Sequence, residues 1–205
     1  MPNWDEIYYD HEAIEFIDPE DLWVYDKLIV SKKLGYVCGP VGADVPYPGH
    51  YILRPTINFL GMGLGTKRVK LIKSTDHQSP GYFWSQEFQG RHLSIDYKYG
   101  KQQLAVEGEK YENSFTKWKK WSIIDAELRF PEILEGLKDK YPWFCCEFID
   151  GKLIEVHARR NPDFIYGNKE FIPAWRDEEE VVLLGGGYRF IECQEVGGRI
   201  GAFIK

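Results

Sequence analysis

The chain has 205 residues, of which 43% are hydrophobic and 16% aromatic, with a formal net charge of −6. That length suits one large domain, or one with a small appendage, and the apolar content is enough for a sizeable core. The acidic balance argues against a dedicated nucleic-acid binder, which would present a basic face. No apolar run approaches a membrane span. The opening "MPNWDEIYYDHEAIEF" is acidic and aromatic, unlike a signal or transit peptide. Cys38, Cys145, Cys146 and Cys193 show no C-x-x-C spacing, so the expectation is a reduced, cytoplasmic protein with neither zinc nor disulfides.

The first fifty residues begin with a polar, aromatic lead. "DPEDLWVYDKLIVSKKLG" then predicts a helix, with Asp18 as N-cap, Pro19 at the first helical position and Gly35 as the stop. A Gly- and Pro-rich loop follows, and "HYILRP" reads as a strand. "TKRVKLIK", "GYFWSQEF", "HLSIDYKYGKQQLAVEG" and "WFCCEFIDGKLIEVH" read as strands or hairpins, turning at Gly100 and at Asp150-Gly151. "TKWKKW", Thr116 to Trp121, reads as a lysine-rich helix or loop with two Trp anchored in the core, or as a basic patch. "PEILEGLKDKY", Pro131 to Tyr141, predicts a helix. The tail "EEVVLLGGGYRFIECQEVGGRIGAFIK" predicts two or three short strands. The fold class is α+β on mainly antiparallel sheet.

Two stretches carry the chemistry. "KLIEVHARRNPDF" packs a carboxylate, an imidazole, two guanidiniums, an amide and a second carboxylate between Glu155 and Asp163. As a strand it places Glu155 and His157 on one face, Ile154 and Val156 on the other. That describes a wet surface strand or the floor of an active site. "ILRPTINFLGMGLGTKRV" ends a strand in Arg54 and continues through Gly61, Gly63 and Gly65 into a new strand. Alternate glycines let backbone N–H groups approach a phosphate beside a cation, although a flexible hairpin tip has the same composition. It is neither a Walker loop nor a Rossmann turn.

These pieces follow one another in a familiar order: "DK" (Asp26-Lys27), then "LG", "ILRP", "GMGLG", "QEFQGRHLSIDY" and "DGKLIEVHARRNP". From about Asp21 to Trp175 the order resembles the ATP-grasp superfamily, whose members clamp ATP between two α+β subdomains. The resemblance implies residues 1–50 as a reduced N-terminal region, 51–85 as a glycine-flap subdomain and 86–205 as a metal and substrate subdomain. It also implies ATP and Mg²⁺ as cofactors. Lys27, of the "DK" pair, falls among the nucleotide-binding positions. Arg54 stands where a phosphate-binding lysine is usual, preserving charge while changing donor geometry. Gly61, Gly63 and Gly65 would cover the phosphates. Gln86, Glu87 and Phe88 would read the adenine edge, and His92 would lie near the ribose.

Glu155 matches the metal-binding glutamate, a hard ligand suited to Mg²⁺. His157 stands where Asn is usual, and Asn161 is the candidate to supply the missing amide. Arg159 or Arg160 would neutralise the transferring phosphoryl group. The resemblance asks for a second carboxylate from the preceding strand, and Glu147 is the candidate. A two-residue Asp150-Gly151 turn would set Cys146 opposite Glu155 and send Glu147 to the other face; a three-residue loop would put Glu147 beside Glu155.

The activity so implied is that of a ligase. A substrate carboxylate takes the γ-phosphoryl group of ATP, ADP leaves, and an amine or similar nucleophile then displaces phosphate from the acyl phosphate. The partner is a small-molecule or peptide carboxylate, and the reduced N-terminal region points to a possible homodimer. Two other readings stay open. A non-catalytic protein on the same fold would bind nucleotide or a partner. "EFIDGKLIEV" also resembles a strand of polynucleotide ligases, but no K-x-D-G nucleophile site accompanies it.

Overall fold

Strands occupy most of the computed structural model, which describes residues 2–57, 62–112, 114–176 and 186–205, apart from the side chains of Gln194 and Glu195. They are β1 (Cys38–Pro40), β2 (Gly49–Pro55), β3 (Lys67–Leu71), β4 (Tyr82–Gln86), β5 (His92–Lys98) and β6 (Lys101–Lys110). After these come β7 (Trp118–Ile123), β8 (Trp143–Ile149), β9 (Lys152–His157), β10 (Glu170–Trp175), β11 (Arg189–Val196) and β12 (Arg199–Ile204). A four-stranded sheet has the order β1-β4-β2-β3, and an eight-stranded sheet has β11-β12-β10-β7-β6-β5-β8-β9. Every pairing is antiparallel. The α+β class and the two mainly antiparallel sheets match the expectation from the strand patterning.

Alternation in β5 organises the large sheet. Leu93, Ile95 and Tyr97 join Phe144, Cys146, Phe148, Leu153 and Val156 in a continuous core. Ile17, Val24, Tyr25 and Val30 from the first thirty residues close that core from outside. Each large side chain buried there contributes about 1.5–3 kcal/mol. This wrapping also covers β9, which would otherwise leave an unpaired sheet edge. The small sheet buries Tyr51, Leu53, Leu71 and Trp84 against Val45. The four cysteine thiols are free. No helix among the described residues is long and apolar enough to cross a membrane.

Five elements differ from the sequence expectation, the first being β1, a strand within the stretch read as a Gly- and Pro-rich loop. The helix predicted over 19–34 is two pieces, a 3₁₀ helix Pro19–Tyr25 and an α-helix, Lys27–Lys33. Asp26 interrupts it with extended backbone, and its side chain accepts the Ile29 N–H at 2.9 Å, capping the second piece anew. The Lys27 N–H donates to Thr56 O at 2.9 Å, an alternative to helical pairing that ties the break to the end of β2. Gly35 ends the helix as expected, at φ +71°. The second predicted helix is only a 3₁₀ segment, Glu132–Leu137. The lysine-rich segment is β7, inside the large sheet, and its two tryptophans are buried. A strand not expected from the sequence, β10, pairs with β7 and β12. Within the predicted tail, residues 177–185 lie outside the described residues, while β11 and β12 are present.

Two β-bulges set which side chains face the space between the sheets. Asp150 and Gly151, at φ +49° and +73°, make a two-residue hairpin turn. Register then passes from Phe148↔Leu153 to Glu147↔Glu155, leaving Ile154 as an extra residue. Glu147 and Glu155 therefore lie side by side, although the turn has two residues. The same bulge corrects the face assigned to Ile154, which lines the cleft with Glu155.

In β7 the pairs Gly108↔Trp121 and Lys110↔Trp118 leave Lys119 extra, so two tryptophans three positions apart share a face. They pack over Gly108, where an added Cβ would sit 2.5 Å from Trp118 and 2.8 Å from Trp121. Gly108→Val is expected to destabilise the fold by about 1–3 kcal/mol. The check is urea unfolding, with the midpoint lowered at unchanged denaturant slope.

Candidate active site

Residues 87–91 link β4 of the small sheet to β5 of the large one, and the two sheets face each other across a cleft. A first chamber lies between them, and a second opens beside it. Met62, Trp118 and Glu147 border both.

The small sheet and the helix Lys27–Lys33 each supply a cation. β2 turns Tyr51 and Leu53 into its core and Ile52 and Arg54 toward the first chamber. Arg54 is buried, its guanidinium lies 5.0 Å from the Phe83 ring, and its Nε has no hydrogen-bond partner. The helix break at Asp26 aims Lys27 into the same chamber, where it is 2% exposed and its Nζ lies 3.7 Å from Glu155 Oε1. Burial lowers the pKa of both groups, and Glu155 opposes that effect in each case.

The large sheet supplies carboxylates. His92, Ser94 and Asp96 form the polar face of β5, opposite its core residues, and Glu147, Cys145, Glu155 and His157 extend that face across β8 and β9. Burial would raise the Glu147 carboxyl, but a 3.0 Å hydrogen bond with His92 Nε2 and nearby positive charge hold it below its usual range. Burial lowers His92, so at neutral pH the imidazole donates from Nε2 to Glu147. Its Nδ1 is then a buried acceptor, and it has no partner. Glu155 sits 3.7 Å from Lys27 and 3.6 Å from His157 Nε2, both longer than a hydrogen bond. Two adjacent carboxylates with unfilled oxygen sites would suit a hard divalent cation.

Lys27, Arg54, Gly63, Gln86, Glu87 and Phe88 all line the first chamber, as do His92, Glu147 and Glu155. Gly63 and Gly65 adopt φ +63° and +78°, and a Cβ on either would clash, with Phe115 O at 2.9 Å and the Tyr82 hydroxyl at 2.5 Å. Gly65 does not border the chamber, and Gly61 lies outside the described residues. Gln86 Oε1 accepts the Val37 N–H, and Glu87 accepts from Arg68 Nε at 2.8 Å. Phe88 packs edge-on against Tyr36.

The residues expected at the phosphoryl end are placed differently. Arg159 borders the second chamber, but its Nε and Nη2 donate to Asp10 at 2.9 and 3.1 Å. Its Nη1 donates to Arg160 O. Asp10 also accepts from His157 Nδ1 at 2.9 Å. Burial would raise the Asp10 carboxyl, but the Arg159 and His157 charges hold it far below the usual carboxylate range. Arg160 borders neither chamber; its guanidinium lies over Trp143 at 4.9 Å and Tyr8 at 5.9 Å. Asn161 borders the second chamber, its Oδ1 accepting from Asp163 N and its Nδ2 donating to Ser94 Oγ.

Sequence reasoning missed Asp10, Asp96, Lys110 and Trp118. Lys110 borders the first chamber and lies 4.6 Å from the Trp118 ring centroid. Asp96 is 4% exposed and accepts the Asn161 N–H; burial raises its pKa to about 6. The H-S-D alternation against L-I-Y in β5 was the available signal for a polar face. Nothing local marks Asp10, whose partners are 147 and 149 positions away.

No protein-family model matches the sequence, and no curated protein matches it. Solved structures do match in shape. An ATP-grasp superfamily protein from Archaeoglobus fulgidus has 14% identity over 88% of this chain and 64% of that one, with a TM-score of 0.43. The ATP-grasp ligase PsnB, complexed with a minimal precursor, has 12% identity over 74% of this chain and 57% of that one, at 0.46. D-alanine–D-alanine ligase from Bacillus anthracis has 15% identity over 66% and 56%, at 0.36. The chain thus spans less than two thirds of the length of each.

Two outcomes are expected from the buried charges. Asp10→Asn leaves Arg159 and His157 without their counter-charge and is expected to cost about 3–5 kcal/mol in urea unfolding. Asp96 acts through pH. The folded protein holds its proton to about pH 6, whereas a carboxyl at the ordinary value of 3.8 has released it. Its contribution is therefore most favourable below 3.8 and is lost as pH rises through about 6, a change of about 3 kcal/mol. Asp96→Asn is expected to remove that slope from unfolding free energies measured between these pH values.

Proposed function

We propose that the chain is an ATP-grasp-type protein that binds Mg-ATP between its two sheets and activates a substrate carboxylate as an acyl phosphate for attack by an amine or similar nucleophile. One observation carries this reading. Two buried cations, Arg54 on β2 of the small sheet and Lys27 at the start of the helix Lys27–Lys33, meet two side-by-side carboxylates of the large sheet, Glu147 and Glu155, in a single chamber. Anionic phosphates between the layers would pair with the cations, and Mg²⁺ would be held by the carboxylates.

This chain's own groups account for the remaining contacts. Arg54 Nε is a buried donor that a phosphate oxygen would satisfy. Gly63 lets the loop backbone approach the same group. His92 Nδ1 is a buried acceptor that a ribose hydroxyl would satisfy. Gln86 to Phe88, on the link between the sheets, line the chamber where the base would lie. The magnesium ion, when bound, would supply charge neutralisation between phosphate oxygens. Lys27 and Arg54 would orient the phosphates for in-line transfer, with little water admitted between the layers.

A second reading is a nucleotide-binding protein without transfer. It is favoured by Arg159, whose guanidinium is already engaged with Asp10 and the Arg160 carbonyl instead of being open to a transferring phosphoryl group. Release of ADP in the presence of carboxylate and amine pairs separates the two.

Calorimetric titration with ATP, with and without Mg²⁺, is the test. Wild type is expected to bind in the micromolar range when Mg²⁺ is present. Glu155→Gln is expected to lose about tenfold or more of the Mg²⁺-dependent affinity, and Arg54→Ala to lose as much in either condition. Absence of ATP binding by the folded wild-type protein would sink the proposal.

A further inference from the structure

The second chamber is built differently from the first. Trp118 and Trp121 form one wall, with ring centroids 4.3 Å apart and planes at 43°. Pro162, Pro173 and Met62 add apolar surface, and the rest of the lining is polar, with Ser94, His157, Arg159 and Asn161 beside the carboxylates Glu147 and Asp163. Arg199, at the start of β12, borders this space and is held at its Nη1 by both oxygens of Asp163, each at 3.2 Å. Its Nε is buried and has no hydrogen-bond partner. A guanidinium fixed through one nitrogen, with another donor buried and unmet, lacks an acceptor, and a carboxylate is the acceptor that fits best.

Arg159 cannot serve in its place, because Asp10 and the Arg160 carbonyl already occupy its three nitrogens. Asn161 is likewise committed to Asp163 and Ser94. The chamber meets the first one at Glu147, Trp118 and Met62. Met62 belongs to the glycine loop, and a Cβ on Gly197 would lie 2.7 Å from Leu64 of that loop. The turn next to Arg199 thus packs directly against the loop that walls both chambers.

We propose that the second chamber is a substrate subsite for a carboxylate borne on an aromatic body, with the carboxylate on Arg199 and the ring against Trp118 and Trp121. This assignment deepens the nucleotide reading and rests on it for the chemistry, but not for the binding. Flat aromatic bodies match the tryptophan wall, because offset and edge-on ring contacts add to simple burial. A small aliphatic acid would reach Arg199 and leave the wall unfilled. An aromatic amine would fill the wall and leave Arg199 Nε unmet. Selection between acids of equal charge therefore lies with Trp121, which borders only this chamber, and Trp118, which borders both.

The test is calorimetric titration of phenylacetate into the full chain, with and without Mg-ADP, and with acetate and 2-phenylethylamine as comparators. Binding of Mg-ATP by the wild-type protein is measured in the same buffer. Phenylacetate is expected to bind about tenfold or more tightly than either comparator. Arg199→Gln is expected to lose about tenfold of that affinity, with partial recovery in Arg199→Lys. Trp121→Leu is expected to erase the preference for phenylacetate over acetate, and Trp121→Phe to keep most of it. Circular dichroism and thermal unfolding establish that each variant is folded.

If wild type binds Mg-ATP but not phenylacetate, or binds it equally well with Gln at 199, the subsite is overturned while the nucleotide reading stands. If phenylacetate binds in an Arg199-dependent way and Mg-ATP does not bind, the nucleotide reading fails and the subsite stands. If neither binds, both are overturned.

Discussion

The cleft depends on keeping a polar sheet face charge-balanced out of water. β5, β8 and β9 turn His92, Asp96, Glu147, Glu155 and His157 to one side, and the facing layer and the N-terminal segment leave them less than a quarter exposed. Isolated buried charges would cost several kcal/mol each. Here every carboxylate has a cation or donor within reach: Glu147 has His92, Glu155 has Lys27 and His157, and Asp10 has His157 and Arg159. Glu155 lies between Lys27 and His157 without a hydrogen bond to either, which leaves its oxygens with unfilled acceptor sites.

Each partner is delivered by a local irregularity. The helix break at Asp26 points Lys27 into the chamber, where a continuous helix over 19–34 would have rotated it elsewhere. One bulge puts Glu147 beside Glu155, and another puts Trp118 and Trp121 on one face. Regular strands would have sent one member of each pair to the opposite side, because side chains alternate with period two. Bulges of this kind re-aim side chains.

The opening residues act as structure as well as lead. Asp10 reaches His157 and Arg159 from a four-residue helix, Asp10–Ala13, and Ile17 and Val24 seal the large-sheet core. Because of that contact, the cation expected to be open for phosphoryl transfer is locked into the scaffold. Among the described residues, Arg54, His92, Arg160 and Arg199 retain buried side-chain nitrogens without partners, and all but Arg160 border the two chambers.

The sequence by itself determined the α+β class, most strands, and both hairpin turns named from Gly100 and Asp150-Gly151. Those depend on periodicity and on residues that favour left-handed turns, both of which are local. Only the tertiary structure decided that Glu147 lies beside Glu155, that the lysine-rich segment is a central strand, and that Arg159 belongs to Asp10. A bulge shifts register by one residue without changing composition, so no local pattern announces it. A strand such as β7, whose tryptophans are three apart, mimics helical spacing until its bulge is seen. The pairing of Asp10 with groups nearly 150 positions away is set by how the chain wraps the sheet edge, a constraint that exists only once the layers are packed.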